Sequence, residues 1–174
     1  DLKAFDQAAR IALDSPAEVL MIPENLSSEM VGPAFFEKYM RGYQEEWVSK
    51  IREAGKYSFI HIDGTLRGLL KEEASVGFSV LEALTPHPVG DLKTEELIDY
   101  MGESKSIIWG GIPGVYFTPN TSEEEFERHV KHVIKIMVKE PRYVLGVADQ
   151  VPPDGMESRV RRVAELVDEF GKYE

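Results

Sequence analysis

The sequence contains no cysteine among its 174 residues. It can therefore form no disulfide, offer no thiolate to a metal and use no cysteine as a nucleophile. The absence of cysteine is compatible with a reducing compartment, and we expect a cytoplasmic location. The sequence also lacks any run of 18 apolar residues, so it predicts no membrane span.

Positive charge is scarce as well. Only 20 Lys and Arg residues face 31 Asp and Glu residues, and the formal net charge is −11. Binding to nucleic-acid phosphates needs basic side chains clustered on one face. The one basic stretch, residues 159–162, lies in a predicted helix that also carries Glu157 and Glu165. We therefore expect no nucleic-acid partner.

Apolar residues alternate repeatedly between a strand-like and a helix-like spacing. Five short apolar segments predict strands, at residues 18–22, 57–62, 76–84, 106–109 and 142–147. About six helices are predicted around them, at residues 2–13, 33–55, 66–76, 94–101, from 122 onward and at 156–171. Ser122 followed by Glu125 is typical of a capping box, and Thr94 is a predicted N-cap.

This alternation indicates an α/β fold with a parallel sheet and right-handed crossovers. No linker divides the chain, so we expect one unit over residues 1–174. Two architectures stay open at this point: a five-stranded doubly wound sheet, or part of a (β/α)8 barrel, which typically needs about 250 residues. Asp1 enters a helical pattern directly, as expected for a segment from within a longer chain.

In both architectures functional residues gather at the carboxyl ends of the strands. His61 and Asp63 are two residues apart on a predicted strand, so their side chains point the same way. Asp149 ends another strand and can join them. One histidine with two carboxylates is a workable zinc or iron site with open positions. The structural alternative is a hydrogen-bonded His61 at a strand end and an Asp63 that caps the next helix.

Further polar residues follow the predicted strands. Glu24 and Glu29 are candidate acid/base catalysts or partners of metal ligands, unless Glu29 is simply solvated. His87 and Trp109 are candidates for contact with the substrate. The structural alternatives are an ordinary loop residue at His87 and an ordinary packing residue at Trp109. The sequence has no Walker loop, dinucleotide-binding glycine motif or serine nucleophile elbow. The candidate substrate-binding residues are Asn25, His87, Asp91, Trp109 and Gln150.

The segments at these strand ends resemble the uroporphyrinogen decarboxylase superfamily over almost the whole chain. The resemblance implies a (β/α)8 TIM barrel, of which this chain is the later part: a partial barrel of about five parallel strands with flanking helices. The missing segment, or a partner such as a second copy in a homodimer, is expected to cover the open sheet edges. The matching segments are 23–28, His61-x-Asp63-Gly64, 89–92, Trp109-Gly110-Gly111-Ile112-Pro113, 121–124, 151–153 and a closing helix from Val163 to Tyr173.

The superfamily contains two chemistries. Uroporphyrinogen decarboxylases use no metal or cofactor, place their key arginines and aspartate in the early part of the barrel, and carry a histidine at the end of the last strand. This chain reads Gly-Val-Ala-Asp there, at residues 146–149. The cobalamin-dependent methyltransferases hold zinc with a His-x-Cys strand and a distant Cys. By this resemblance His61 matches the histidine, and Asp63 and Asp149 fall where the cysteines lie.

The leading hypothesis is a methyltransferase-like enzyme that moves a methyl group between a small methylated substrate and a corrinoid protein. Zinc or another divalent metal would sit at His61, Asp63 and Asp149, where it could polarise a methoxyl oxygen or hold a water. One alternative is a cofactor-independent decarboxylase (a lyase) acting on a tetrapyrrole such as a porphyrinogen, which needs arginines for the substrate carboxylates. Another is a non-catalytic binding module.

Overall fold

The structure, a computed structural model, describes residues 2–172. Asp1, and Tyr173 of the closing motif, lie outside these residues. Within them, strands and helices alternate as the apolar spacing predicts. The strands are β1 (Val19–Leu26), β2 (Tyr57–Ile62), β3 (Val80–Leu84), β4 (Ile107–Pro113) and β5 (Tyr143–Ala148). The helices are α1 (Leu2–Asp14), α2 (Pro33–Tyr39), α3 (Arg41–Glu53), α4 (Leu70–Val76), α5 (Thr94–Met101), α6 (Glu123–Met137) and α7 (Glu157–Phe170).

The order of the strands decides between the two architectures. The sheet runs β1-β2-β3-β4-β5, and every neighbouring pair is parallel. Right-handed crossovers that always step in the same direction put every connecting helix on the same face of the sheet. A doubly wound sheet needs a reversal of direction, which this sheet lacks. The chain is thus a partial (β/α) barrel, and its sheet is not closed.

One face of the sheet carries the core and the other is open. On β2, Ser58, Ile60 and Ile62 are buried against the helices, whereas Tyr57 on the opposite face is 62% exposed. Among the described residues, no helix has the length and apolar character needed to cross a membrane. The open face is defined here by its exposed apolar side chains: Val19, Met21, Tyr57, Trp109 and Val144.

Three strands differ from the predicted bounds by more than one residue. β1 continues to Leu26, although the sequence suggests a loop after Ile22, because a register shift between Ile22 and Asn25 absorbs Pro23 and Glu24. β3 begins at Val80 rather than at residue 76, because Gly77, with φ +95°, ends α4 in the left-handed conformation. β4 runs on to Pro113 instead of ending at Trp109.

The helices also differ in detail. The predicted helix over residues 33–55 is two helices, α2 and α3, which meet at Met40, where φ is −117° instead of the usual helical value near −63°. α4 starts at Leu70, four residues later than predicted. The N-cap of α5 is Lys93, so the prediction of Thr94 is wrong by one residue. The Ser122 capping box is confirmed: its hydroxyl accepts from the Glu125 amide at 3.2 Å.

Candidate functional site

Three predicted metal ligands meet at the carboxyl ends of β2 and β5. His61, Asp63 and Asp149 each present one ligand atom, and these atoms all lie within 4.8 Å of one another. The separation between His61 Nε2 and Asp149 Oδ1 is 3.6 Å. His61 and Asp63 share a direction because they are two residues apart at the end of β2. Asp149 reaches them from three strands away because the sheet curves towards a barrel.

A fourth side chain, Glu82 on β3, was not among the predicted site residues. It pairs with His61 in the strand register, and its Oε2 lies 2.6 Å from His61 Nδ1. A carboxylate at Nδ1 makes that nitrogen the donor and leaves Nε2, which faces Asp149, free to bind a ligand. The signal in the sequence was a single charged residue inside the apolar segment 80–84.

Backbone strain is concentrated next to these side chains. Within residues 2–172, Ala83 (φ +66°) and Asp149 (φ +71°) are the non-glycine residues with a positive φ. Each such residue costs roughly 1–3 kcal/mol and persists where the surrounding structure holds it in place. Ala83 directly follows Glu82, and Asp149 is itself a candidate ligand. The strain therefore falls directly after Glu82 and at Asp149, the two residues whose carboxylates face His61.

The bulge in β1 separates two predicted site residues. Asn25 lies opposite His61 in the register, on the side away from Glu82, so His61 has a polar neighbour on each adjacent strand. Glu24 instead contacts the helix layer, where its Oε2 accepts a hydrogen bond from Gln44 of α3 at 3.2 Å. The structure therefore groups Asn25, but not Glu24, with the histidine.

The remaining predicted residues lie around the site. Glu29 is exposed, and its amide donates to Thr65 Oγ1 at 3.1 Å. His87 is exposed in the loop after β3. The Asp91 carboxylate accepts from the backbone amides of Leu66 and Arg67, at 2.7 and 3.1 Å, and so holds the β2–α4 loop. Gln150 is exposed, with its amide 3.4 Å from the Asp149 carboxylate.

Trp109 extends from β4 across β5. A Cβ at Gly146 would lie only 2.6 Å from Trp109 Nε1, so the glycine is what allows the indole to lie there. The indole is tilted relative to the ring of Phe59, with 6.4 Å between the ring centroids. Trp109 remains 39% exposed. Ile108 of β4 pairs with Leu81 of β3, and Trp109 and Glu82 are the next residues on these two strands. The indole and the carboxylate therefore occupy neighbouring positions.

A cleft of about 290 Å³ opens at Asp63 and Asp149, two of the three candidate ligands. Its polar part is formed by Asp63, Asp149, Thr85 and Gln150, and its apolar walls include Val89, Val115 and Pro152. Within the described part of the chain, no Lys or Arg lines this cleft. Arg67, in the loop after β2, donates instead to Tyr100 and Glu96, at 2.8 and 3.2 Å.

The donor set fits a divalent metal. Ligands of a tetrahedral ion with bonds of about 2.1 Å stand about 3.4 Å apart, close to the 3.6 Å between His61 and Asp149. A nitrogen and two carboxylates suit zinc or iron and leave positions open for water or substrate. The contact between Glu82 and His61 supplies the outer hydrogen bond that ligating histidines typically make.

Among solved structures, the fold of this chain is similar to that of a methyltransferase from Methanosarcina mazei. The TM-score is 0.74 at 17% sequence identity, and the match covers 97% of this chain and 49% of that one. The chain therefore spans about half the length of the methyltransferase that it matches. No curated protein matches the sequence. The family model for uroporphyrinogen decarboxylase (URO-D) matches residues 3–170, and the chain belongs to this family.

Proposed function

We propose that this chain contributes the metal-binding part of a methyltransferase that moves a methyl group between a small methylated substrate and a corrinoid protein. The observation that carries the proposal is the convergence of His61, Asp63 and Asp149 at the carboxyl ends of the strands. The methyltransferase fold of the solved neighbour supports it. URO-D membership alone leaves the chemistry open between methyl transfer and decarboxylation.

Each residue of the candidate site has its own role in the proposed reaction. His61, Asp63 and Asp149 would hold a zinc or another divalent ion, and Glu82 would orient His61 through Nδ1. The ion would act as a Lewis acid on an oxygen of the substrate, such as a methoxyl oxygen. Asn25, the strand neighbour of His61, would hydrogen-bond the substrate, and the apolar walls at Val89 and Val115 would exclude water.

The charge of the cleft favours this chemistry over decarboxylation of a tetrapyrrole. A porphyrinogen brings several carboxylates, which need arginines as partners. The described side chains of the cleft are acidic, neutral polar or apolar, none is basic, and Arg67 is engaged by Glu96. A decarboxylase would therefore need all of its arginines from residues beyond this chain.

The first test is the metal content of the purified protein and of two variants. We expect about one equivalent of zinc or iron in the wild type, loss of it in His61→Ala, and retention in His132→Ala. His132 is a suitable control because it is a half-exposed histidine on α6, paired with Glu95 and outside the cluster. Equal metal content in both variants, or none in the wild type, would overturn the metal site.

Methyl transfer is tested separately, on metal-loaded protein incubated with a corrinoid protein and methylated substrates. The expected readout is a change of the corrinoid absorption spectrum that depends on His61. A protein that binds metal at His61 but never methylates or demethylates a corrinoid would retain the site and refute the proposed reaction. Such a result would favour a binding module or another metal-assisted reaction.

A further inference from the structure

A buried polar cluster lies on the helix side of β1. This Gln44 cluster consists of Glu24 on β1, Gln44 on α3 and Glu73 on α4. Gln44 and Glu73 are both 0% exposed. The Gln44 amide nitrogen lies 3.2 Å from Glu24 Oε2 and 3.2 Å from Glu73 Oε1, so one amide bridges two carboxyl groups.

The cluster has fewer hydrogen-bond donors than its buried oxygen atoms require. The two N–H groups of Gln44 are both used on the carboxyl groups. Within residues 2–172, Gln44 Oε1 and Glu73 Oε2 are buried acceptors that receive no hydrogen bond. A buried carboxylate with a single donor is strongly disfavoured, because the energy of its lost hydration is not replaced. Two such carboxylates on one amide would also repel each other.

Charged groups around the cluster do not relieve this shortage. Arg41 on α3 is the nearby cation, but its guanidinium binds Glu37, Glu72 and the Ser75 hydroxyl on the surface. Burial raises the pKa of Glu73 to about 8; the Gln44 hydrogen bond and the Arg41 charge oppose the shift, and the Glu24 charge adds to it.

The Glu24 side of the cluster behaves in the same way. Burial raises the pKa of Glu24, and the hydrogen bond from Gln44 opposes that shift. Tyr43 faces Glu24, and burial raises the pKa of this phenol, with smaller contributions from the charges of Glu24 and Asp6. No described cation therefore contacts either carboxyl group directly.

We infer that the Gln44 cluster is a proton-binding site that fastens helices α3 and α4 to the bulge of β1. With a proton on Glu73, the amide bridges one neutral and one charged group and holds Glu24 against the helix layer. Loss of the proton places two carboxylates on one amide, and their repulsion loosens the contact at Glu24. This inference is independent of methyl transfer, because it concerns only the attachment of the helices to β1.

The sign of the effect on stability follows from the raised pKa. The folded protein holds a proton on Glu73 that the unfolded chain releases near pH 4.5. The contribution to stability is therefore fully present below about pH 4.5, falls as the pH rises towards 8, and stays lost above it. Exchange of the backbone amides around Asn25 should accelerate over the same range, after correction for intrinsic rates.

The test is the unfolding temperature between pH 5 and pH 9.5 for the wild type, Glu73→Gln and Glu46→Gln. We expect the wild-type midpoint to fall by about 5 °C or more between pH 6 and pH 9. Glu73→Gln should lose this slope and exceed the wild type at pH 9. Glu46→Gln, which alters an exposed carboxylate on α3 paired with Lys50, should follow the wild type. Equal slopes in all three proteins would overturn the inference.

Two measurements on the wild type keep the inference testable if Glu73→Gln fails to fold. The infrared band of a protonated carboxyl group should persist at pH 7 and titrate near pH 8; its absence above pH 6 would refute a proton site. Replacing sodium and potassium chloride with tetramethylammonium chloride should leave the stability at pH 9 unchanged. A loss of stability on this exchange would instead assign a metal cation to the cluster.

Discussion

At the scale of single residues, Glu82 is the side chain that orients His61, one of the three candidate metal ligands. Its contact with His61 Nδ1 fixes which nitrogen carries the proton, and a ligating histidine without such a partner can rotate. Ala83, strained directly after it, shows that the backbone is bent where this carboxylate must face the histidine.

Replacing Glu82 by glutamine should weaken metal binding without removing a ligand. The amide keeps the volume of the side chain but loses the charge that stabilises the Nδ1 proton, so we expect about a 10–100-fold loss of metal affinity. Metal titration of Glu82→Gln measures this loss. Glu29→Gln, an exposed carboxylate outside the cluster, serves as the control. Unchanged affinity in Glu82→Gln would show that His61 needs no partner.

The site residues also show how far sequence reasoning reaches. Strand ends and the two-residue spacing suffice to group His61, Asp63 and Asp149, because parallel strands deliver their carboxyl ends to one edge. They do not suffice for Glu24, because the register shift after Ile22 sends its side chain to the helices. Such a shift depends on pairing with β2, a long-range contact with no signature in the local sequence.

At the scale of secondary-structure elements, α7 anchors the loop that follows β4. Arg159 is 4% exposed, and its guanidinium donates to the carbonyl oxygens of Tyr116, Thr118 and Thr121, at 2.8, 2.6 and 2.6 Å. The first two carbonyls belong to the 3-10 helix Gly114–Phe117 and the residue after it. One buried side chain thereby shapes the β4–α6 loop, which contributes Val115 to the cleft.

Replacing Arg159 by methionine should destabilise the protein by about 3–5 kcal/mol, because three carbonyl groups lose their donor in a buried setting. Urea unfolding measures the loss, and hydrogen exchange should show faster exchange confined to residues 114–121. Arg161→Met, which removes an exposed arginine paired with Glu157, should leave both measurements unchanged. Similar losses in the two variants would contradict a role of Arg159 in holding the loop.

The sequence predicts the type of each helix or strand better than its first and last residues. All five strands and the capping box at Ser122 follow from apolar spacing and local capping chemistry, which are short-range properties. The break at Met40 does not, because the residues around it continue an unbroken helical pattern and contain no proline. The extension of β4 through Gly110 and Gly111 is also hidden, since its pairing partners lie on β5.

At the scale of the whole molecule, an open sheet is the dominant feature. Within the described residues, β1 and β5 each have one unpaired edge, and the open face exposes Met21 at 45% and Val144 at 42%. An apolar face of this kind is covered in a closed barrel, and an unpaired edge invites association. The solved methyltransferase, of which this chain covers 49%, has the length to supply such a cover.

The 174-residue chain studied alone should therefore associate through this face. We expect sedimentation to show concentration-dependent oligomers, and the double variant Met21→Lys with Val144→Lys to shift them towards monomers with an unchanged circular dichroism spectrum. Ile11→Lys, at an exposed apolar position on α1 away from the sheet, is the matched control. A wild-type chain that stays monomeric at every concentration would contradict this prediction.

The sequential strand order has a consequence for how the chain acquires its structure. Each strand pairs with the strand that precedes it along the chain, so a new βα unit needs only the unit made just before it. Pairing each strand with its predecessor closes a shorter loop than pairing with a more distant strand would, and so costs less loop-closure entropy. The candidate ligands are the exception, because Asp149 follows β5 while His61 lies on β2, so this cluster is complete only when the last strand has docked.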